Sequence, residues 1–292
     1  MRLFSFSSAS ALRGIMLVAL AIVTPITFTG CGSSAFSGPP STKVALAAPA
    51  ATAAAVSSAA TDAAATPVQG SSSTTPVLLF NGTGTLASDV AAVEVILNTL
   101  KLKYSTADSS HMNSMSEATL KTYKLFIVPG GNSNTIGNNL SKAATTNIHN
   151  AVQSGLHYLG ICAGGWFGGY SIYNGLNLTS GVWFKVYHNN GKGTGSTAVE
   201  IADPKNGKLD QFWHDGPEFS GWGSIVGKYP DGTPAIVEGK SGSGWVILSG
   251  IHAEAPASWR SGMKFTTSVA VDHAYAGTLV TAALNGTSLP HF

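Results

Sequence analysis

Three short, largely apolar runs, each closed by a glycine-rich turn, restrict this chain more than any other feature. Val77-Leu78-Leu79-Phe80 ends at Asn81-Gly82-Thr83-Gly84-Thr85, Leu125-Phe126-Ile127-Val128 at Pro129-Gly130-Gly131, and Leu156 to Ile161 at Cys162-Ala163-Gly164-Gly165. Runs with so little polar character on either face read as strands buried on both sides, which is the habit of parallel sheets. Helical patterns separate them. Ser88 is the expected N-cap of a helix carrying Val90, Val93, Leu97 and Leu100, and Ser141 begins another whose face is Ala144, Ile148, Ala151 and Val152. Gly155 suits the left-handed position that ends it. Strands alternating with helices predict an α/β fold, a mostly parallel sheet with helices on both faces.

After Ser171 the texture turns β-like. Turns at Tyr229-Pro230-Asp231-Gly232-Thr233 and Ser241-Gly242-Ser243-Gly244 bracket strands at Ala235 to Val237 and Trp245 to Leu248, so antiparallel hairpins are expected in the C-terminal half. Ser268 to Leu284 reads as a closing helix facing inward through Val271, Ala274, Tyr275 and Leu279.

The first quarter is built differently. Residues 1–31 hold Arg2 and Arg13, an apolar run from Ile15 to Phe28 broken by Pro25, and Thr29-Gly30 before Cys31, the layout of a secretory signal. The run is shorter than the roughly 20 apolar residues of a membrane-spanning helix. Phe28-Thr29-Gly30-Cys31 resembles a bacterial lipobox, which implies lipidation of Cys31 and an exported, envelope-anchored protein. Residues 32–75 are Ala, Ser, Thr, Pro and Gly with little else, too poor in large apolar side chains to form a core, and read as a disordered tether. The globular domain is expected over 76–292.

Charged residues make up 10% of the chain and the net charge is +2, so no basic surface for nucleic acid is expected. The histidines have no metal-ligand spacing, and neither a metal nor a cofactor is expected. With Cys31 lipidated, Cys162 is left without an intramolecular partner in an oxidising compartment, either buried and inert or kept for reactivity.

Its neighbours favour reactivity. Gly160-Ile161-Cys162-Ala163-Gly164 puts a cysteine in a tight strand-to-helix turn, the layout of a nucleophile elbow. Ser249-Gly250-Ile251-His252-Ala253-Glu254 follows the Trp245 to Leu248 strand, and in extended chain His252 and Glu254 share a side, giving a base and the acid that orients it. Pro129-Gly130-Gly131 ends a strand where the Gly131 N–H, with that of Ala163, can face a developing oxyanion. In open parallel sheets the ligand crevice lies at the carboxyl ends of the strands, so Asn81, Gly130, Asn132 and Trp166 are candidate substrate-lining residues. His214 and Asp215, in the loop-like Phe212-Trp213-His214-Asp215-Gly216-Pro217-Glu218, are candidates as well.

In their order along the chain, these motifs resemble the class I glutamine amidotransferase superfamily. Leu79-Phe80-Asn81-Gly82-Thr83-Gly84-Thr85, the Val-Pro-Gly-Gly turn, Gly-Ile-Cys-Ala-Gly-Gly and Leu-Ser-Gly-Ile-His-Ala-Glu are most similar to the N-terminal domain of eukaryotic biotin-protein ligases, over about Val77 to Leu284. The resemblance implies a flavodoxin-like sheet and a Cys162-His252-Glu254 triad. Three positions depart from the superfamily's patterns. Trp166 stands where classical glutaminases carry Gln, Ala253 where Pro is usual between His and Glu, and Ala163 where the protease-like branch has His. Neither a synthase domain nor a biotin-ligase catalytic domain follows, so neither complete activity is expected. Two functions fit: an envelope hydrolase of an amide or ester acting on a small molecule or peptide, or a catalytically silent binding or interaction module on the same fold.

Overall fold

The computed structural model describes residues 75–188 and 195–292. The expected signal sequence, the lipobox with Cys31 and almost all of the tether lie outside the described residues. Among the described residues no helix is long and apolar enough to cross a membrane.

The first half alternates as expected: β1 (Val77–Phe80), α1 (Ala87–Thr99), β2 (Tyr104–Ala107), short helices α2 (Ser109–Ser114) and α3 (Glu117–Leu120), β3 (Leu125–Val128), α4 (Ser133–Asn138), α5 (Lys142–Gln153), β4 (His157–Ile161) and α6 (Ala163–Gly168). The second half is β5 (Lys185–Val186), β6 (Ser196–Asp203), β7 (Gly207–His214), β8 (Pro217–Glu218), β9 (Ser224–Lys228), β10 (Pro234–Ser241), β11 (Gly244–Ser249) and α7 (Val269–Asn285). A nine-stranded sheet runs β2-β1-β3-β4-β11-β10-β9-β6-β7. Its β2-β1-β3-β4-β11 part is parallel throughout, in the 2-1-3-4-5 order of flavodoxin-like sheets. From β11 outward the pairing is antiparallel, so the expected hairpins extend the same sheet.

Alternation along the strands divides the core. Val77 and Leu79 of β1 join Val93 and Leu97 of α1 and Leu279 and Val280 of α7 on one face. Leu78 and Phe80 join Met112, Ile136, Ile148 and Phe167 on the other, so helices cover both faces.

Several local expectations need correction. Leu86 is the N-cap of α1 rather than Ser88, because Leu86 still has extended backbone and Ser88 already lies inside the first turn, with its hydroxyl on the Asp89 carboxylate at 3.1 Å. In α7, which Ser268 caps, Val271 is 45% exposed and Ala274 is exposed as well, and the buried face runs through Tyr275, Ala276, Leu279 and Val280. The stretch from Phe212 to His214 is the end of β7 and not a loop; its partner β6 supplies the register, pairing Thr197 with Trp213 and Ala198 with Phe212. The segment after Gly131, to which the sequence reading assigns no element, forms α4, whose N-cap Asn132 accepts the Thr135 N–H at 2.9 Å.

Candidate functional site

The carboxyl ends of β1, β3, β4 and β11 converge on one cleft of about 300 Å³, at the low end of small-molecule sites. Each strand end delivers part of it. The turn after β1 brings Leu86, Ser88 and Asp89; that after β3, Gly131; that after β4, Cys162; and that after β11, His252. Ser196, Phe212, His214 and Trp259 complete the wall.

Cys162 joins β4 to α6 with φ 49° and ψ −103°, a backbone conformation a side-chain-bearing residue adopts only when its surroundings enforce it. They do so here from both sides. Its N–H donates to the Ser249 carbonyl at 2.7 Å, and the Gly164 N–H two residues on donates to Pro129 at 3.2 Å. A Cβ on Gly164 would sit 1.9 Å from the Val128 carbonyl oxygen, so α6 can approach β3 this closely only with glycine there. The turn holds the thiol 7% exposed, with a weak hydrogen bond from Sγ to the His214 carbonyl at 3.6 Å.

His252 follows the end of β11, fixed by its N–H to the Phe212 carbonyl at 2.8 Å. Glu254 reaches it as expected, but not along an extended strand: β11 ends at Ser249 and the pair forms across a turn closed by the Ala255 N–H on the His252 carbonyl. Glu254 Oε1 lies 2.8 Å from His252 Nδ1, and the imidazole shares its cleft with the Cys162 thiol. Phe212 and Trp259 meet the imidazole edge-on, with ring centroids 5.8 and 5.7 Å away. Burial alone would push the imidazole pKa down. The Glu254 carboxylate and Cys162 outweigh that and hold His252 well above the usual histidine range.

A second carboxylate was not legible in the sequence. Asp89, in the first turn of α1, is buried with Oδ1 3.6 Å from His252 Nδ1. Burial raises its pKa, His252 opposes that, and Glu254 adds to it. Gly130 permits the approach, since a Cβ there would fall 1.9 Å from Asp89 Oδ1 and 2.7 Å from His252 Cε1. Asp89, His252 and Glu254 each offer a ligand atom within 4.8 Å of the others. The imidazole nitrogen facing both carboxylates is the one Glu254 already holds, so a cation shared by all three would displace the Glu254 bond.

Of the residues singled out from the sequence, Cys162, His252, Glu254 and Gly131 come together with His214. Neither the Gly131 nor the Ala163 amide has an acceptor among the described residues. Five of the six expected lining residues do not line the cleft. Asn81 is exposed, because the turn after it folds in to bridge Thr85 with Gly131 and gives the cleft Leu86 and Asp89 instead. Asn132 spends its side chain capping α4, and Asp215 accepts the Gly195 N–H at 2.8 Å. Trp166, one helical turn beyond Cys162, lines a different cavity. Gly130 lies behind the cleft wall, against Asp89 and His252.

Residues 75–178 match the family model described as biotin-protein ligase, N terminal, which bears out the resemblance over the motifs up to Cys162. The His252 and Glu254 motif lies beyond the matched stretch. No curated protein matches the sequence. Among solved structures, a glutamine amidotransferase is 21% identical at a TM-score of 0.48, covering 61% of this chain and 90% of its own. A putative GMP synthase component from Thermoplasma acidophilum is 9% identical at a TM-score of 0.48, covering 73% of this chain and 96% of its own.

Proposed function

We propose that this chain is a cysteine-dependent hydrolase of an amide or ester, with Cys162 as nucleophile, His252 as acid and base, and Glu254 orienting His252. The observation that carries the reading is the strained backbone of Cys162, which presents its thiol to the same cleft as an imidazole that Glu254 holds at 2.8 Å. Strain of that kind persists where function requires a side chain to be presented in one direction.

The chemistry follows from the geometry. With its proton on His252, Cys162 sulfur attacks the substrate carbonyl carbon, and a carbon–sulfur bond forms as the carbonyl electrons move to oxygen. The Gly131 and Ala163 amides, unpartnered among the described residues, are suited to receive that oxyanion. When it collapses, the amine or alcohol leaves with the proton from His252 and a thioester remains. Water then attacks the thioester, giving its proton to His252, and the acid is released as Cys162 is restored. The Glu254 carboxylate that raises the His252 pKa stabilises the imidazolium formed in the first step, and acylation removes the Cys162 contribution before His252 must accept a proton from water.

The N-terminal sequence supports a location. Read with Phe28-Thr29-Gly30-Cys31, the chain is an exported lipoprotein tethered to the envelope membrane through Cys31. Palmitate labelling that survives Cys31→Ser overturns that part alone.

The test of the chemistry is reaction with p-nitrophenyl acetate, followed by mass spectrometry of the quenched protein. The expected result is an acetyl group on Cys162, a slower steady release, and loss of both in His252→Ala. A thiol that iodoacetamide alkylates equally well with and without His252 overturns the triad and leaves a silent binding module.

A further inference from the structure

A second cavity, of about 460 Å³, opens beside the cleft and shares its framework. Ser133 and Asn134, just after Gly131, form one wall; Trp166, one helical turn after Cys162, forms another; and the segment after α6 contributes Tyr170, Tyr173 and Trp183 with Ile172. Its size falls within the ~300–1,000 Å³ of small-molecule sites. The four side chains from that segment are far more exposed than core residues: Ile172 80%, Trp183 69%, Tyr170 45% and Tyr173 44%. Single exposed apolar residues need no explanation, but four around one cavity do.

The segment is held firmly. Asn174 donates to the Gly137 and Leu140 carbonyls at 3.2 and 2.8 Å and accepts the Thr145 hydroxyl at 2.8 Å, while the Tyr170 N–H donates to Val182 at 3.0 Å. Asn174, Asn177 and Ser180 all take positive φ, which such tethering enforces. The aromatic faces are therefore presented on a fixed frame.

The lining selects the ligand's chemistry. Among the described residues no Asp, Glu, Lys, Arg or His borders the cavity, so a charged ligand would lose water without gaining a counter-charge. The Asn134 amide, the Tyr170 and Tyr173 hydroxyls and both indole N–H groups have no hydrogen-bond partner among the described residues, so a wholly apolar ligand would leave them unsatisfied. What remains is a neutral molecule with apolar ring faces and hydroxyls on its rim. We infer that this cavity is a binding site for a neutral carbohydrate, its sugar rings stacked on Trp166 and Trp183. Binding does not depend on turnover at Cys162.

The test is titration of the full chain, kept free of glycosidic detergent, with cellotriose, maltotriose and tri-N-acetylchitotriose, followed by tryptophan fluorescence and calorimetry. At least one sugar should bind saturably below about 10 mM, about as well in 1 M salt as in dilute buffer. Trp183→Ala, at an exposed position, should weaken it by roughly tenfold or more, a loss of about 1.4 kcal/mol or more. Cys162→Ala should bind as the wild type does. Failure of all three sugars to bind, or equal binding by Trp183→Ala, overturns the proposal. So does self-association in sedimentation that Trp183→Ala abolishes while no sugar binds, which would assign the face to a second copy of the chain.

Discussion

Asp89 Oδ1 stands 3.6 Å from Nδ1 of His252, the same nitrogen that Glu254 holds at 2.8 Å. Two buried carboxylates therefore compete for one imidazole, and the closer one takes the hydrogen bond. Asp89 then acts as a neighbouring negative group rather than a partner, one that favours the imidazolium form of His252. Asp89→Asn keeps the shape and removes the charge. The titration of His252, followed by NMR, should move to lower pH by about half a unit to one unit. Glu254→Gln should move it further, since it loses the hydrogen bond as well. An Asp89→Asn profile that overlays the wild type would make Asp89 a bystander.

Gly130 is where Asp89 and the imidazole are allowed to meet. A methyl there would overlap Asp89 Oδ1 and press on His252 Cε1, both buried and with little room to retreat. Gly130→Ala should therefore fold but lose about 1–3 kcal/mol, as overpacked sites do. Alkylation of Cys162 at neutral pH should fall roughly tenfold or more as His252 is displaced, on the scale of a lost general base. Denaturant melts and alkylation rates on the same preparation check both. Wild-type alkylation in Gly130→Ala would mean that the contact does not position His252.

The strands that carry the site were legible because β1, β3 and β4 are buried on both faces, and little but an apolar side chain is tolerated there. The elbow was legible for a related reason: Gly164 must let α6 approach β3, and that requirement is written as a glycine. By contrast, β6 and β7 have one half-exposed face carrying Glu200, Lys208 and Asp210, so their alternation is diluted and the stretch resembled loop. Asp89 and Trp259 meet His252 only through the tertiary fold, and no spacing in the chain records such a meeting. An acid in the first turn of a helix is ordinarily explained by the helix dipole alone, so Asp89 carried no signal of its own. His252 and Glu254 were paired correctly from a two-residue spacing, although a turn rather than a strand brings them together.

The strain at Cys162 gives a stability prediction opposite to the usual one for a buried residue. Its φ of 49° is natural to glycine and costly for other residues, by about 1–3 kcal/mol. Cys162→Gly removes that cost but adds unfolded-state entropy and gives up a small buried side chain, so it should be neutral or stabilising by about 1 kcal/mol. Cys162→Val, β-branched in the same conformation, should be destabilising by more than 2 kcal/mol, roughly. Urea denaturation of the three proteins orders them. A Gly variant as unstable as the Val variant would show that the turn is not strained.

Asp272 provides a pH prediction away from the cleft. Its carboxylate accepts from Arg260 Nη1 at 2.9 Å and Gln211 Nε2 at 3.0 Å, yet burial outweighs these partners and raises its pKa to about 6. An acid whose pKa is higher folded than unfolded binds its proton more tightly in the folded state. Stability from this group is therefore greatest below the ordinary carboxylate range, near pH 4, and is lost as pH rises to about 6. Asp272→Asn cannot ionise and should lack that slope, while carrying a constant offset from its altered bonds to Arg260 and Gln211. The stability difference between wild type and Asp272→Asn should thus change between pH 4 and 6, moving against the wild type, and stay level from pH 7 to 8. A constant difference across the whole range would mean that Arg260 neutralises the carboxylate fully, with no net shift left to read.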